Sequence, residues 1–550
     1  MIIDARSLPV NETIKTDICV VGAGTAGLTL AREFIDKGFR VSLIESGGLE
    51  PDKNTHSLYW GESIGLPYFP LDTARARYFG GSSNRWCVAL GNNRFGARMR
   101  PLDAIDFEER GWVPHSGWPF GKSELDPYYK RAQSICRIEP LGYDVEHWED
   151  YATTPRLPFI SNRVESIIFK FGDRDPFIKD YCEQVVRSDN ITAYLNANVI
   201  EIETDEIAGT VTHLRLACLQ GNSFRLAAKI FILAAGGIET PRLLLLSNKR
   251  QGSGLGNQND LVGRFFMEHL HYWSGVYVPS DPNIFKKTGL YNSIHTVNGV
   301  PVIGKLALNA EVLRSEKLIN HSVQLIPRVV TNQFLNRFHY KSIPSKGVDS
   351  LKELVSTIRR GNIPDNFGRK LGKVVAGLDD ISKNIYRRFR KKIGSPLSRK
   401  RIKLFLLAHM TEQVPNQNSR VTLGEERDRL GQPRICLNWQ VTSMDVLSAI
   451  RTQKIIDEEL RRARLGRLYI QMQDETPPHH LHGGYHHMGT TRMHIDPQKG
   501  VVDENCRVHG ISNLYIAGPS VFPTSGYANP ILTIVALSVR LADHIKQKYH

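Results

Sequence analysis

The stretch GGYHHMGTTRMH, residues 483–494, sets two adjacent histidines between a glycine pair and a Gly-Thr step. A neutral imidazole, with an ordinary pKa of about 6.5, is well matched to taking a proton near neutrality. His486 and His487 are therefore candidates for a general base. They could instead shape a loop. A metal is a third reading, because His479, His480, His482, His486, His487 and His494 crowd the same region. Their spacing fits no standard ligand set and no cysteine accompanies them, so no metal is expected.

A second kind of chemistry stands near the beginning. In DICVVGAGTAGLTLAREFIDKGFRVSLIE, residues 17–45, Gly22, Gly24 and Gly27 form G-x-G-x-x-G between a buried apolar run and a helical pattern. The first glycine permits a tight turn, the second lets a pyrophosphate approach the backbone, and the third lets helix and strand pack closely. A helix N-terminus then faces the phosphates with free N–H groups. Glu45 ends the second strand, at the spacing suited to a ribose. The motif predicts dinucleotide binding without separating NAD from FAD.

Elements must hold these groups. Ile18–Val21 reads as a parallel strand; Leu28, Ala31, Phe34 and Ile35 give a helix face; Phe39–Ile44 is the second strand of a βαβ unit. NANVIEIET, VTHLRLACL and AAKIFILAAGG predict strands between 193 and 235. YWSGVYV and PVIGKLAL predict strands in a second region. Asn529 is a good helix N-cap and Pro530 suits a first helical position, so a helix is expected over 530–544.

At 550 residues the chain exceeds one simple core, and two domains are expected. Its apolar share of 41% and charged share of 23% are ordinary for a globular protein. No apolar run is long enough to span a bilayer. The start, MIIDARSLPVNETIK, lacks a basic stretch followed by an apolar one, so no secretory signal is expected. Seven scattered cysteines without a C-x-x-C read as reduced thiols, which favours the cytoplasm.

The net charge of +15 is concentrated. Residues 341–403 hold eighteen Lys/Arg against five Asp/Glu, an excess of thirteen. Within them, DDISKNIYRRFRKKI (379–393) sets Ile381, Ile385, Phe389 and Ile393 along one helical stripe. Such a helix can lie on an anionic membrane surface, dock a redox partner, or pack its stripe on the protein and leave its charges in water. No recognition module accompanies the charge, so nucleic acid is not expected.

Residues 75–87, RARYFGGSSNRWC, add a second glycine patch with Gly81, Ser82 and Asn84. Together VVGAGTAGLTLA, GGSSNRW, AAGGIETPRLLLLS, HHMGTTRM and PTSGYANPILTIVAL resemble the glucose-methanol-choline (GMC) flavoprotein oxidoreductases, in order along the chain. GGSSNRW is similar to the pyranose oxidase and sugar dehydrogenase branch. There a histidine before the tryptophan carries the flavin covalently; here Arg85 stands in that place, so the resemblance implies noncovalent FAD.

The resemblance implies an α/β fold: a Rossmann-like FAD-binding domain (1–115, 193–268 and 480–550) interleaved with an α+β substrate domain. The latter would span 116–192 and 269–479, include the basic insertion, and contain an antiparallel sheet. Around FAD the resemblance places Gly22, Gly24, Thr25, Ala26, Gly27, Glu45 and Ser46. It adds Gly81, Ser82, Asn84, Val199 and Ala235, and at the C-terminal end Gly518, Asn529 and Pro530. The family register H-x-x-G-T selects His486 over His487 as the base, with Asn529 as its partner. Glu412, Gln413, Trp439 and His487 are expected to line the substrate pocket.

The implied reaction is oxidation of a hydroxyl to a carbonyl with hydride passing to FAD. Sugars, glycosides or cyclitols are the favoured substrates; a non-sugar alcohol is the alternative. Oxygen, a quinone or a protein carrier would then take the electrons. Two rival readings share the glycine turn: a flavin monooxygenase or reductase, and a flavoprotein scaffold that binds a membrane or partner.

Overall fold

The computed structural model describes residues 1–139, 142–281, 283–284, 288–330, 402–472, 474–478 and 480–549. The expected basic helix at 379–393 lies outside them, as does His479.

The apolar run at the start of the glycine motif becomes the strand Thr13–Val21, with Ile18, Cys19 and Val20 fully buried. It sits between Val41–Ile44 and Ser223–Leu233, parallel to both. Beyond Val41–Ile44 the sheet continues, again parallel, through Ile191–Leu195 to Ile2–Asp4. On the other side the long strand Ser223–Leu233 divides its edge. Its first residues pair antiparallel with Val211–Ala217, which pairs in turn with Asn198–Thr204. Its last residues pair parallel with Leu514–Ile516. The parallel strands are near-continuous apolar runs because helices cover them. The helix Thr25–Glu33 packs against the C-terminal helix Ile531–Tyr549, whose first nine residues are all buried. The third glycine of the motif makes the expected close approach: a Cβ on Gly27 would collide with the Gly22 carbonyl oxygen.

A nine-stranded sheet forms the second layer, and every described pairing in it is antiparallel. It runs Gly466–Tyr469, Leu270–Pro279, Ile402–Thr411, His321–Val330, Val300–Leu308, Val164–Asp173, Arg94–Met99, Val88–Gly91. The short strand His295–Val297 pairs with Val300–Leu308. The α/β fold with an antiparallel-sheet region is thus as expected. The boundary at 115 does not follow the sheets. The hairpin 88–99 leaves the second glycine patch and adds directly to the edge of the antiparallel sheet.

The segment 482–493 ties the two layers together. His482 and Met488 bridge antiparallel to His271 and Met267 at the entry to the Leu270–Pro279 strand. Residues 489–493 then donate backbone hydrogen bonds to Pro519, Ser520 and Val521 beside the first sheet. The loop carrying the two histidines is therefore held from both sides.

Candidate active site

A cavity of about 460 Å³ runs between the glycine motif and this loop. Gly22, Gly24, Thr25, Ala26, Glu45 and Ser46 line one end. Gly24 begins the helix Thr25–Glu33 with no side-chain cap, so the first helical N–H groups stay open. The second glycine patch closes over them. A Cβ on Gly81 would lie 2.8 Å from Gly24 Cα, and the Ser83 and Thr25 hydroxyls meet at 2.9 Å. The two glycine loops form one cradle, and the approach requires the hydrogen side chain of Gly81. Glu45 Oε2 accepts the Ala23 N–H and its Oε1 accepts the Gly47 N–H, which fixes the turn around the cradle. Ser82, Val199, Ala235, Gly518 and Pro530 also line the cavity. Gly27 and Asn84 do not. Gly27 is spent on packing, and the Asn84 amide donates to Phe79 and Gly81 carbonyls, shaping the loop from behind.

At the other end His486 and Asn529, 43 residues apart in sequence, meet with His486 Nε2 3.0 Å from Asn529 Nδ2. Asn529 Oδ1 is buried without a protein partner. The expected side-chain cap is therefore not made; the first helical bond runs from Ile534 N–H to Pro530 O, and the helix begins at Ile531. On its other side, His486 Nδ1 lies 2.8 Å from His269 Nδ1. Burial, then the neighbouring His269, hold the His486 pKa well below its ordinary value. The imidazole is neutral at physiological pH.

Glu268 clamps the backbone of the same loop. Its Oε2 accepts the N–H of Gly484 at 3.0 Å and of His486 at 2.8 Å, and its Oε1 accepts the Tyr68 hydroxyl. Burial pushes this carboxyl up to about 7, against those three donors. His487 turns away from His486, as an extended loop requires. Its Nε2 donates to the Tyr68 oxygen at 2.9 Å, and burial lowers its pKa to about 3. His487 thus supports Tyr68 and Glu268 while it also lines the cavity, as expected.

Three further residues expected in the pocket do not line this cavity. Glu412 is fully buried in an ion pair with Arg110, 2.5 Å away. Gln413 Oε1 accepts the Glu268 and Trp439 N–H groups at 2.9 and 3.1 Å, and Trp439 is 1% exposed. All three stand behind the cavity wall. Sequence reasoning gave no role to Tyr68, Arg98, Glu268 or His269. The last two lie in LVGRFFMEH, where an adjacent acid and imidazole at the entry of a strand were the only available signal.

The cradle, the uncapped helix start and the orphaned Asn529 Oδ1 fit FAD, with Gly24, Thr25 and Gly81 available to its pyrophosphate. The site defines a dinucleotide-dependent oxidoreductase. The GMC oxidoreductase family model matches residues 415–538. The chain is similar to the fructose dehydrogenase large subunit of Gluconobacter japonicus, 24% identical over 97% of this chain and 98% of that protein. A C-glycoside 3-oxidase of Microbacterium trichothecenolyticum is 34% identical over 22% of each chain. A crystal structure of formate oxidase shares the fold: TM-score 0.52, 16% identity, 98% of this chain and 99% of that one. Residues 415–538 thus carry the C-terminal region of the GMC oxidoreductases, and the cavity fits FAD.

Proposed function

We propose that this enzyme oxidises a hydroxyl of a sugar, glycoside or cyclitol to a carbonyl. The single observation that carries the reading is the pair His486 and Asn529 at one end of the FAD cavity. A hydroxyl both donates and accepts, so it complements a neutral imidazole lone pair beside an amide N–H. His486 takes the hydroxyl proton at Nε2, while the Asn529 amide donates to the substrate oxygen and holds it there. Bound FAD supplies the hydride acceptor. Sugar-like substrates are favoured by the branch resemblance of GGSSNRW and by the relatives named for fructose and C-glycosides.

An anaerobic screen of sugars, glycosides and cyclitols is expected to find a compound that bleaches the flavin absorbance. With that compound, the reduction rate should stay level from pH 6 to pH 5, because His486 remains neutral there and Glu268, raised by burial to about 7, is already protonated. A base with an ordinary pKa near 6.5 would retain only about a quarter of its neutral form at pH 6 and lose most of that by about pH 5. Failure of every hydroxyl compound to reduce the flavin would remove the reading.

The basic segment 341–403 is best read as a docking surface for an anionic membrane, with a redox partner as the other occupant. Its support is the local excess of thirteen positive charges. The full chain should float with vesicles containing anionic lipid and lose that binding on deletion of 379–393; unchanged flotation would exclude the membrane role.

A further inference from the structure

We propose that His269 is a positioning residue that makes His486 a base, by fixing its imidazole in the tautomer whose lone pair lies on Nε2. The proposal deepens the reading of His486 given above and rests on it. The hydrogen bonds around His486 have one self-consistent direction. The Ser525 carbonyl can only accept, so His269 Nε2, 3.2 Å away, carries a proton. Burial pushes the His269 pKa down to about 4, so that ring is neutral and its Nδ1 is bare. A bare Nδ1 can only accept, and His486 Nδ1, 2.8 Å away, must therefore carry the proton that joins the rings. His486 is neutral too, so its Nε2 is bare. Asn529 Nδ2 donates to it.

The chain of bonds thus starts at a backbone carbonyl and ends at the nitrogen facing the cavity. Every link is set by the one before it. Without His269 the imidazole of His486 could place its proton on Nε2. That proton would then meet the Asn529 N–H donor to donor, and no lone pair would face a hydroxyl. When Nε2 takes the substrate proton, the O–H electron pair stays on oxygen, and the imidazolium donates from Nδ1 to His269 and from Nε2 to that oxygen. The partner is an uncharged ring, so it orients the base without adding an anion beside it.

Other titratable groups face this pair. Glu268 and His271 flank His269 in sequence, and His487 follows His486. Arg98 comes from the Arg94–Met99 strand and Lys305 from Val300–Leu308. Arg98, His487 and Lys305 all disfavour a charged His486, which keeps the neutral form dominant.

The test is the nitrogen-15 spectrum of the FAD-loaded protein labelled in histidine, with His486 identified by difference against His486→Gln. The expected spectrum shows His486 protonated on Nδ1 and bare on Nε2 at neutral pH; a proton on Nε2 overturns the proposal. Two variants add a kinetic reading. His269→Asn keeps an acceptor where Nδ1 stood and should reduce its flavin within about threefold of the native rate. His269→Leu removes the acceptor and should be slower by roughly 10²-fold, at the scale of lost general-base help. A native rate in His269→Leu also overturns the proposal. If that variant does not fold, the spectra of native protein and His269→Asn decide alone. If no alcohol reduces the flavin, the activity reading fails while the spectrum still decides the tautomer.

Discussion

Anaerobic flavin reduction in His486→Ala is expected to be slower than in the native enzyme by roughly 10²-fold or more, with FAD still bound. The substitution removes the imidazole that meets Asn529, and with it the lone pair that takes the hydroxyl proton. FAD should remain because its cradle stands at the far end of the cavity, built from Gly24, Thr25 and Gly81. The fold should survive as well. Glu268 holds residue 486 through its backbone N–H, which alanine retains. Stopped-flow reduction under a saturating alcohol checks the expectation, since it isolates the chemical step from reoxidation. A native rate in this variant would take His486 out of the reaction.

The second large effect concerns stability. Arg110→Met is expected to destabilise the enzyme by about 3–5 kcal/mol, because it leaves a buried carboxylate without its cation. Arg110 and Glu412 are both fully buried and make a two-pronged pair, at 2.9 and 2.5 Å. Glu412 Oε2 also accepts the Asn320 backbone N–H at 3.0 Å. Asp106 lies close enough that burial and then the Glu412 charge raise its pKa well above the carboxylate range. Removing the guanidinium would leave two acids facing each other in the interior. The double variant Arg110→Met with Glu412→Leu should recover much of the loss, since neither charge is then stranded. Denaturant unfolding of FAD-loaded protein measures both, and a single-variant cost below about 1 kcal/mol would contradict the buried pair.

Glu412 also shows where sequence reasoning stops. An acid followed by Gln413 just before a loop looks like a pocket wall. Nothing local says that Arg110, 302 positions away, neutralises it. Trp439 and Gln413 were misplaced for the same reason: an aromatic with a polar tip suits a pocket or a core equally well. The structure spends the indole N–H on Gln413, which in turn accepts the Glu268 backbone N–H. His487 illustrates the converse. Adjacent residues of an extended loop face opposite ways, but only the structure shows that Tyr68 and Glu268 receive this ring.

The sequence by itself determined the features that depend on a few neighbouring residues. The strand, glycine turn and helix of 13–33 follow from an apolar run, glycine at the close approach and helical spacing, all within one short tract of chain. His486 and Asn529 were singled out by the family resemblance of H-x-x-G-T and GYANP, since the residues alone left both histidines open. Only the tertiary structure decided how those groups are set. It brought His269 against His486 across 217 residues and made Ser525 the fixed end of their hydrogen-bond chain. It also turned the Asn529 amide from capping a helix to facing an imidazole. The physical reason is directional: a hydrogen-bonded ring has a role only once every neighbour's donor or acceptor sense is known. Those neighbours come from strands and loops that meet only when the antiparallel sheet packs over the dinucleotide layer.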